Sequence, residues 1–261
     1  MSRALTALWA WLPQRLRAAL QKVALRTGLA RKIVWREKGV EHELEFWERW
    51  LSTGGYLWKD DFERRLDPDA PLEERLVVER LSELPEGPVS ILDVGAGPLT
   101  FLGKRHPGRS LRITPVDALA DHYDRLLAEH GIEPPVRTLP CAGEELLARF
   151  APDSFDIAYA RNSLDHSYDP LRIIRNMVSV VKPGGFVVLR HVRAEGEHQS
   201  YSGFHQWNFD VENGSLVLWN KATRHDVTKT LAGLARSDVF RDDEDGDDWV
   251  VCVLQKTAGG R

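Results

Sequence analysis

The sequence predicts an α/β chain built on a doubly wound, mainly parallel sheet. Three observations predict it. From Pro71 to Val192, short apolar runs with strand character alternate with amphipathic helical ones. The first of these strands runs straight into a glycine-rich turn, Gly95-Ala96-Gly97. The chain has 261 residues, 43% of them apolar and 28% charged, which suits one large α/β domain or two small ones. That composition excludes a collagen, a mainly disordered chain and a polytopic membrane protein. The longest apolar stretch near the start, Ala7–Leu12, is far below the roughly 18 residues that span a bilayer.

Taken in order, Leu5, Leu8, Leu12, Leu16, Ala19, Leu20 and Val23 recur at helical spacing, with arginines over much of the other face and Pro13 as a kink. Residues 41–66 form a second helical unit. Leu44, Trp47 and Leu51 share a face, and Gly54-Gly55 ends the helix. Six of the nine tryptophans precede residue 59; they read as packing residues or as the wall of a substrate cleft. Residues 1–70 are therefore expected as a helical extension, and 71–261 as the main domain.

Pro71 suits a first helical position, followed by the core stripe Leu72, Leu76, Val77 and Leu81. Strands are predicted at 89–94, 111–117, near 136–139, at 155–160 and at 186–192; helices are predicted at 119–130, 144–150 and 170–181. Beyond Val192 the runs 207–211 and 216–219 flank the hairpin turn Glu212-Asn213-Gly214, an insertion near 205–220. A helix over 227–235 and a strand over 249–254 complete the chain. The acidic loop Asp242–Asp248 reads as solvated, with a cation on its spaced carboxylates as the lesser alternative.

Charge is uneven. Residues 1–40 hold nine basic side chains against one acid, a net +8, so the rest carries −12 within a whole-chain −4. The basic head reads as a helix docked on its own domain or on a second copy in a homodimer, as a peripheral membrane contact, or as a targeting peptide. The acidic body disfavours nucleic acid as substrate. Cys141 and Cys252 can form no disulfide framework and lack metal spacing, so a cytoplasmic location is expected, with membrane association through residues 1–40 as an addition. No metal-ligating residues are assigned from the sequence.

The informative stretch is Ile91-Leu92-Asp93-Val94-Gly95-Ala96-Gly97-Pro98. A dinucleotide fingerprint wants a third glycine where this chain has Thr100, which argues against a dehydrogenase. The acid-x-Gly-x-Gly form resembles the first motif of class I S-adenosylmethionine-dependent methyltransferases. Three later features support the resemblance. Asp117 ends the second strand, 24 residues after Asp93; Cys141-Ala142-Gly143-Glu144 follows the third; and Asp169-Pro170 leads through a helix into Val181-Lys182-Pro183-Gly184-Gly185-Phe186. The resemblance covers roughly residues 85–192, with the end of the fold at 249–256, and implies a seven-stranded Rossmann-like sheet. It also implies S-adenosyl-L-methionine as cofactor, with Asp93, Gly95, Ala96, Gly97, Asp117, Gly143, Glu144 and Arg161 around it. Leu99 and Ala142 depart from the family's pattern.

The function implied is methyl transfer to a small molecule or glycan, most simply to oxygen. The alternatives are an N- or C-methyltransferase of a natural product, and a binding protein that kept the fold and lost catalysis. A hydroxyl acceptor benefits from a general base. His205 ranks first as catalytic residue, His166 second and Asp165 third; His191 is a further candidate. Gln206, Trp207 and Asn208 beside His205 suggest a sugar platform.

Overall fold

The computed structural model describes residues 29–243 and 246–259. Helix α1 (Leu29–Ser52), α2 (Lys59–Leu66) and α3 (Arg75–Leu81) precede the sheet. The amphipathic pattern of residues 5–23 lies outside the described residues. The main-chain turn after α1 uses Gly54 and Gly55 at φ of 63° and 96°, so the expected glycine stop is present. Pro71 does not start a helix. It bridges to Arg105, and α3 begins later, capped by Glu74, whose carboxylate accepts from the Leu76 N–H.

The main sheet comprises β1 (Val89–Val94), β2 (Leu111–Asp117), β3 (Leu139–Pro140), β4 (Phe155–Arg161), β5 (Val181–Val192), β9 (Ala235–Asp242) and β10 (Trp249–Lys256). Its order is β3-β2-β1-β4-β5-β10-β9, with β10 antiparallel to both neighbours. Strand β1 pairs in parallel with β2 and β4, Asp93 lying opposite Pro115 on one side and Tyr159 on the other. The carboxyl ends of the parallel strands therefore open along one edge, where such sheets bind ligands. The remaining strands, β6 (Asn208–Glu212), β7 (Ser215–Trp219) and β8 (Arg224–Asp226), form a separate antiparallel sheet. The 205–220 hairpin thus has a third strand.

Helices α4 (Ala120–Glu129), α5 (Leu146–Arg149), α6 (Pro170–Val180), α7 (Glu195–His198) and α8 (Val227–Leu231) complete the elements. Asp169 caps α6 by accepting from the Arg172 N–H at 3.1 Å, and Pro170 follows at its first position. Helix α6 buries Ile173, Ile174, Met177, Val178 and Val180 in a core shared with Val187, Leu189, Phe209, Leu218 and Cys252. On the other sheet face α3 packs Leu76, Val77 and Leu81 against Ile91, Tyr159 and Val188.

Four expectations shift. The strand near 136–139 is only Leu139–Pro140, and the helix over 144–150 is a 3-10 turn at Gly143–Glu145 followed by α5. Strand β5 starts five residues early, at Val181, with Gly184 at φ 81°. The helix over 227–235 ends at Leu231, two residues before Gly233, and gives way to β9. Strand β9 is mostly exposed and polar, as an edge strand can be, so its sequence carries no alternating apolar signal. At the described ends of the acidic loop, which are largely exposed as expected, Asp248 accepts from Arg193 at 3.0 Å and from Arg241 at 2.8 Å, and Asp242 pairs with Arg75 at 2.9 Å.

Candidate functional site

The ends of β1, β2 and β4, the turn at Gly143 and the C-terminal half of α1 enclose a cavity of about 850 Å³. Gly95 and Gly97 form its floor at φ of 74° and 65°, a left-handed backbone that glycine adopts without penalty. The Gly95 and Ala96 N–H groups donate to Val116 O at 2.9 and 3.2 Å, and Thr138 Oγ1 donates to Gly97 O at 2.8 Å. A Cβ on Gly95 would stand 2.5 Å from Ser163 Oγ, and one on Gly97 2.7 Å from Trp47 Cζ2. The turn is fixed from both sides and has no room for side chains.

Two acids flank it. Asp93 is buried and accepts the Thr100 hydroxyl at 2.5 Å; burial lifts its pKa to about 6. Asp117 ends β2 and accepts the N–H groups of Leu119 and Gly97 at 2.8 and 3.1 Å; burial again lifts it to about 6, against those two bonds. Glu144 lines the cavity, but its carboxylate accepts from Tyr168 and Asp169 N–H at 3.0 and 3.1 Å and so ties down the loop after β4. Burial raises it to about 7. A Cβ on neighbouring Gly143 would meet Ile173 at 2.8 Å. Leu99 is buried against Trp50, Leu51 and Leu127, so the departure from glycine there anchors α1.

A titratable cluster forms the opposite wall. His205 Nδ1 lies 2.7 Å from Asp165 Oδ2, and His166 Nε2 lies 3.1 Å from His205 Nδ1. His166 Nδ1 faces Glu43 Oε2 at 3.4 Å. Burial pushes Asp165 up, but His166 and the His205 hydrogen bond outweigh it and hold the carboxylate below its usual range. Burial pushes His166 down, but Asp165, Glu43 and Asp117 outweigh it, and its pKa is raised. The donor atoms of Asp165, His166 and His205 lie within 4.8 Å of one another, close enough to hold one metal ion. Among the described residues no hydrogen bond reaches His205 Nε2.

Other expectations fall away here. His191 is no base: it is buried, stacked on Phe209 at 4.5 Å, and pushed by desolvation to about 4. The sugar platform is absent as well. Trp207 is buried with its Nε1–H on Ser167 O, Gln206 donates to Tyr201 O and Gly203 O, and Asn208 bonds Tyr201 and Glu197. Arg161 lines the cavity beside Phe101 and Trp249. Glu43, Thr100, Phe101 and Trp249 were not anticipated at the site. A Ser/Thr seven residues after the strand acid was the one local signal for Thr100; nothing local announces the others.

A family model described as "Methyltransferase domain" matches residues 73–231. Among solved structures, the complex of the Haloferax volcanii Trm112 methyltransferase activator with a putative methyltransferase is similar over 84% of this chain and 98% of that one, at 13% identity and a TM-score of 0.51. The Burkholderia thailandensis 1,6-didemethyltoxoflavin-N1-methyltransferase, crystallised with 1,6-didemethyltoxoflavin and S-adenosylhomocysteine, matches 82% of this chain and 87% of its own, at 17% identity and a TM-score of 0.45. Haemonchus contortus phosphoethanolamine N-methyltransferase 2, in complex with S-adenosyl-L-methionine, matches 70% of this chain, at 16% identity and a TM-score of 0.47. This chain spans 52% of that protein's length.

Proposed function

Since the chain belongs to this methyltransferase-domain family and is an S-adenosylmethionine-dependent enzyme, we propose that it methylates a hydroxyl of a small polar acceptor with His205 as general base. The bound cofactor supplies an activated sulfonium methyl, the difficult part of the chemistry. The residues suit it. Gly95, Ala96 and Gly97 line the cavity, and the two glycines at positive φ let main chain face a ligand there. Asp117, at the end of β2, offers a carboxylate for two ribose hydroxyls, and Asp93 adds a second acid beside the turn. Main chain near Gly143 is the candidate for adenine contact, with Glu144 Oε2 beside it, since Oε1 already accepts the Tyr168 and Asp169 N–H groups.

One observation carries the acceptor half of the proposal: His205 Nδ1 sits 2.7 Å from buried Asp165 on the wall of this same cavity. With its proton on Nδ1 and directed at Asp165, His205 keeps a lone pair on Nε2. The hydroxyl proton moves to Nε2 as the oxygen attacks, and the charge then on the imidazole is met by the Asp165 carboxylate. His166, between Glu43 and Asp165, positions the pair. Trp47 and Phe204 wall the cavity and limit water. Its volume is that of a small-molecule site.

The reading is tested with isotope-labelled methyl cofactor and a panel of hydroxyl, amine and activated-carbon acceptors. The carbon shift of the product separates O-, N- and C-methyl groups. An N- or C-methyl product overturns the oxygen assignment. Loss of activity on chelation, with return on adding one divalent ion, would replace the histidine base by a metal centre.

A further inference from the structure

Arg161 closes β4 and reaches between two rings of the cavity wall. Its guanidinium carbon stands 4.0 Å from the Phe101 centroid and 4.9 Å from that of Trp249. It makes no hydrogen bond to any described residue, although its side chain is only 22% exposed. The nearest acid is Glu74, whose Oε2 is 3.7 Å from Nη1. That oxygen already accepts the Tyr159 hydroxyl at 2.8 Å and faces Arg190 Nη1 at 3.8 Å. A part-buried guanidinium without hydrogen bonds is costly unless an anion completes it.

Its neighbours sharpen the point. Arg64 and Arg65 also lie over Phe101, at 4.3 and 5.4 Å. Arg64 donates to Phe101 O and Asp61; Arg65 donates to Asp61 and Leu99 O. Lys104 donates to the carbonyls of Arg64 and Arg65. Among these cations Arg161 is the one whose side chain donates no hydrogen bond to a described residue.

We propose that Arg161 anchors the acceptor by binding a carboxylate on the molecule to be methylated; this rests on reading the cavity as the methyl-transfer site. Arg161 stands between Phe101, in the loop that follows the glycine turn, and Trp249, which opens β10 beyond β5. Its Trp249 side faces away from Asp117 and the Gly143 turn, and an anion on that side is assigned to the acceptor rather than to the cofactor. With rings near the guanidinium, its edge remains for an anion, and two parallel N–H groups match the two oxygens of a carboxylate. A phosphate dianion would call for a second cation beside Arg161, and Arg64 and Arg65 already share the Asp61 carboxylate while Lys104 is held on main-chain carbonyls. Glu195 and Asp247 on the same cavity wall also oppose a doubly charged group.

The test uses the full chain loaded with S-adenosylhomocysteine. Benzoate, benzamide and phenyl phosphate are titrated as probes, by calorimetry or ligand-observed NMR. Benzoate is expected to bind at least tenfold tighter than benzamide and no weaker than phenyl phosphate. Arg161→Gln should weaken benzoate at least tenfold, Arg161→Lys should fall between, and both should hold S-adenosylhomocysteine as wild type does. No benzoate binding to wild type, or equal binding of benzamide, overturns the proposal. So does a tenfold preference for phenyl phosphate, which marks a phosphate site. A loss confined to S-adenosylhomocysteine in Arg161→Gln gives the residue to the cofactor. Should Arg161→Gln fail to fold, Arg161→Lys and the probe comparison on wild type decide. His205→Asn separates the two readings: intact benzoate binding with slowed methyl transfer supports both, whereas intact benzoate binding with unchanged transfer overturns the base assignment alone.

Discussion

The indole of Trp47 stands against the α-carbon of Gly97, so close that a single added methyl would lie 2.7 Å from its Cζ2. The same indole donates to Glu43 Oε1 at 2.8 Å, and Glu43 in turn faces His166. Helix α1 thereby couples the glycine floor of the cavity to its titratable wall, and a perturbation at one should reach the other.

Gly97→Ala is expected to weaken S-adenosylmethionine at least tenfold and to cost about 1–3 kcal/mol in stability, from positive φ and the clash with Trp47. Thermal melts and calorimetry measure both. The damage should shrink in a Trp47→Ala background, because the clash is then gone while the φ strain remains. Strict additivity of the two changes would show that Trp47 does not press on the turn.

Asp117→Ala removes a charged acceptor and should weaken S-adenosylmethionine by roughly 10- to 150-fold, about 1.5–3 kcal/mol. The wild-type carboxyl, raised to about 6, is more fully ionised at pH 7 than at pH 5. Affinity should therefore rise across that range, and rise less in Asp117→Asn. A pH dependence identical in both chains would remove Asp117 from the binding step.

His205→Ala should slow methyl transfer by about 10²–10⁴-fold with cofactor affinity retained. Asp165→Asn should slow it as well, by loosening the ring orientation, and should shift the acid limb of the rate profile. His166→Ala is expected to act less. A His205→Ala enzyme within a few-fold of wild type would mean that positioning alone carries the reaction.

Glu43→Gln keeps the acceptor for Trp47 Nε1 but removes the charge facing His166. A histidine whose folded pKa is raised adds stability below its unfolded pKa, and loses it as pH rises through the folded value. The variant should therefore lose more stability at pH 6 than at pH 8.5, on the order of 1 kcal/mol at the lower pH. Melting curves at the two pH values test this; an equal loss at both would place His166 outside the charge pairing.

Leu57 and Trp58 are exposed between α1 and α2, and residues 1–40 carry a net +8. Wild type is expected to co-float with anionic vesicles. Removal of residues 1–28 and the change Leu57→Glu should each reduce that binding, and added salt should weaken its electrostatic part. Equal flotation of all three chains would count against membrane contact.

Period and punctuation along the chain determine much of this protein. The apolar strand before Asp93, the glycines at 95 and 97, the cap at Asp169-Pro170 and the acid ending β2 are local signals, because backbone conformation is set within a few residues. The parallel order of the central strands follows from their alternation with helices. Strand β9 was not legible, since an edge strand can stay polar and its pairing with β10 comes from elsewhere in the chain. Only the tertiary structure decided which side chains meet. Asp165 and His205 are 40 residues apart, and their contact depends on how the loop before β6 folds back over the end of β4. Glu43 reaches His166 because α1 packs across the sheet edge, and the same packing sets Trp47 on Gly97. His191 and Arg161 show the limit in the other direction. Each lies at the carboxyl end of a central strand and reads as a site residue, yet packing buries one imidazole against Phe209 and leaves the other residue's guanidinium between two rings, open to an anion. Burial and partner geometry, which no spacing encodes, separate the inert group from the available one.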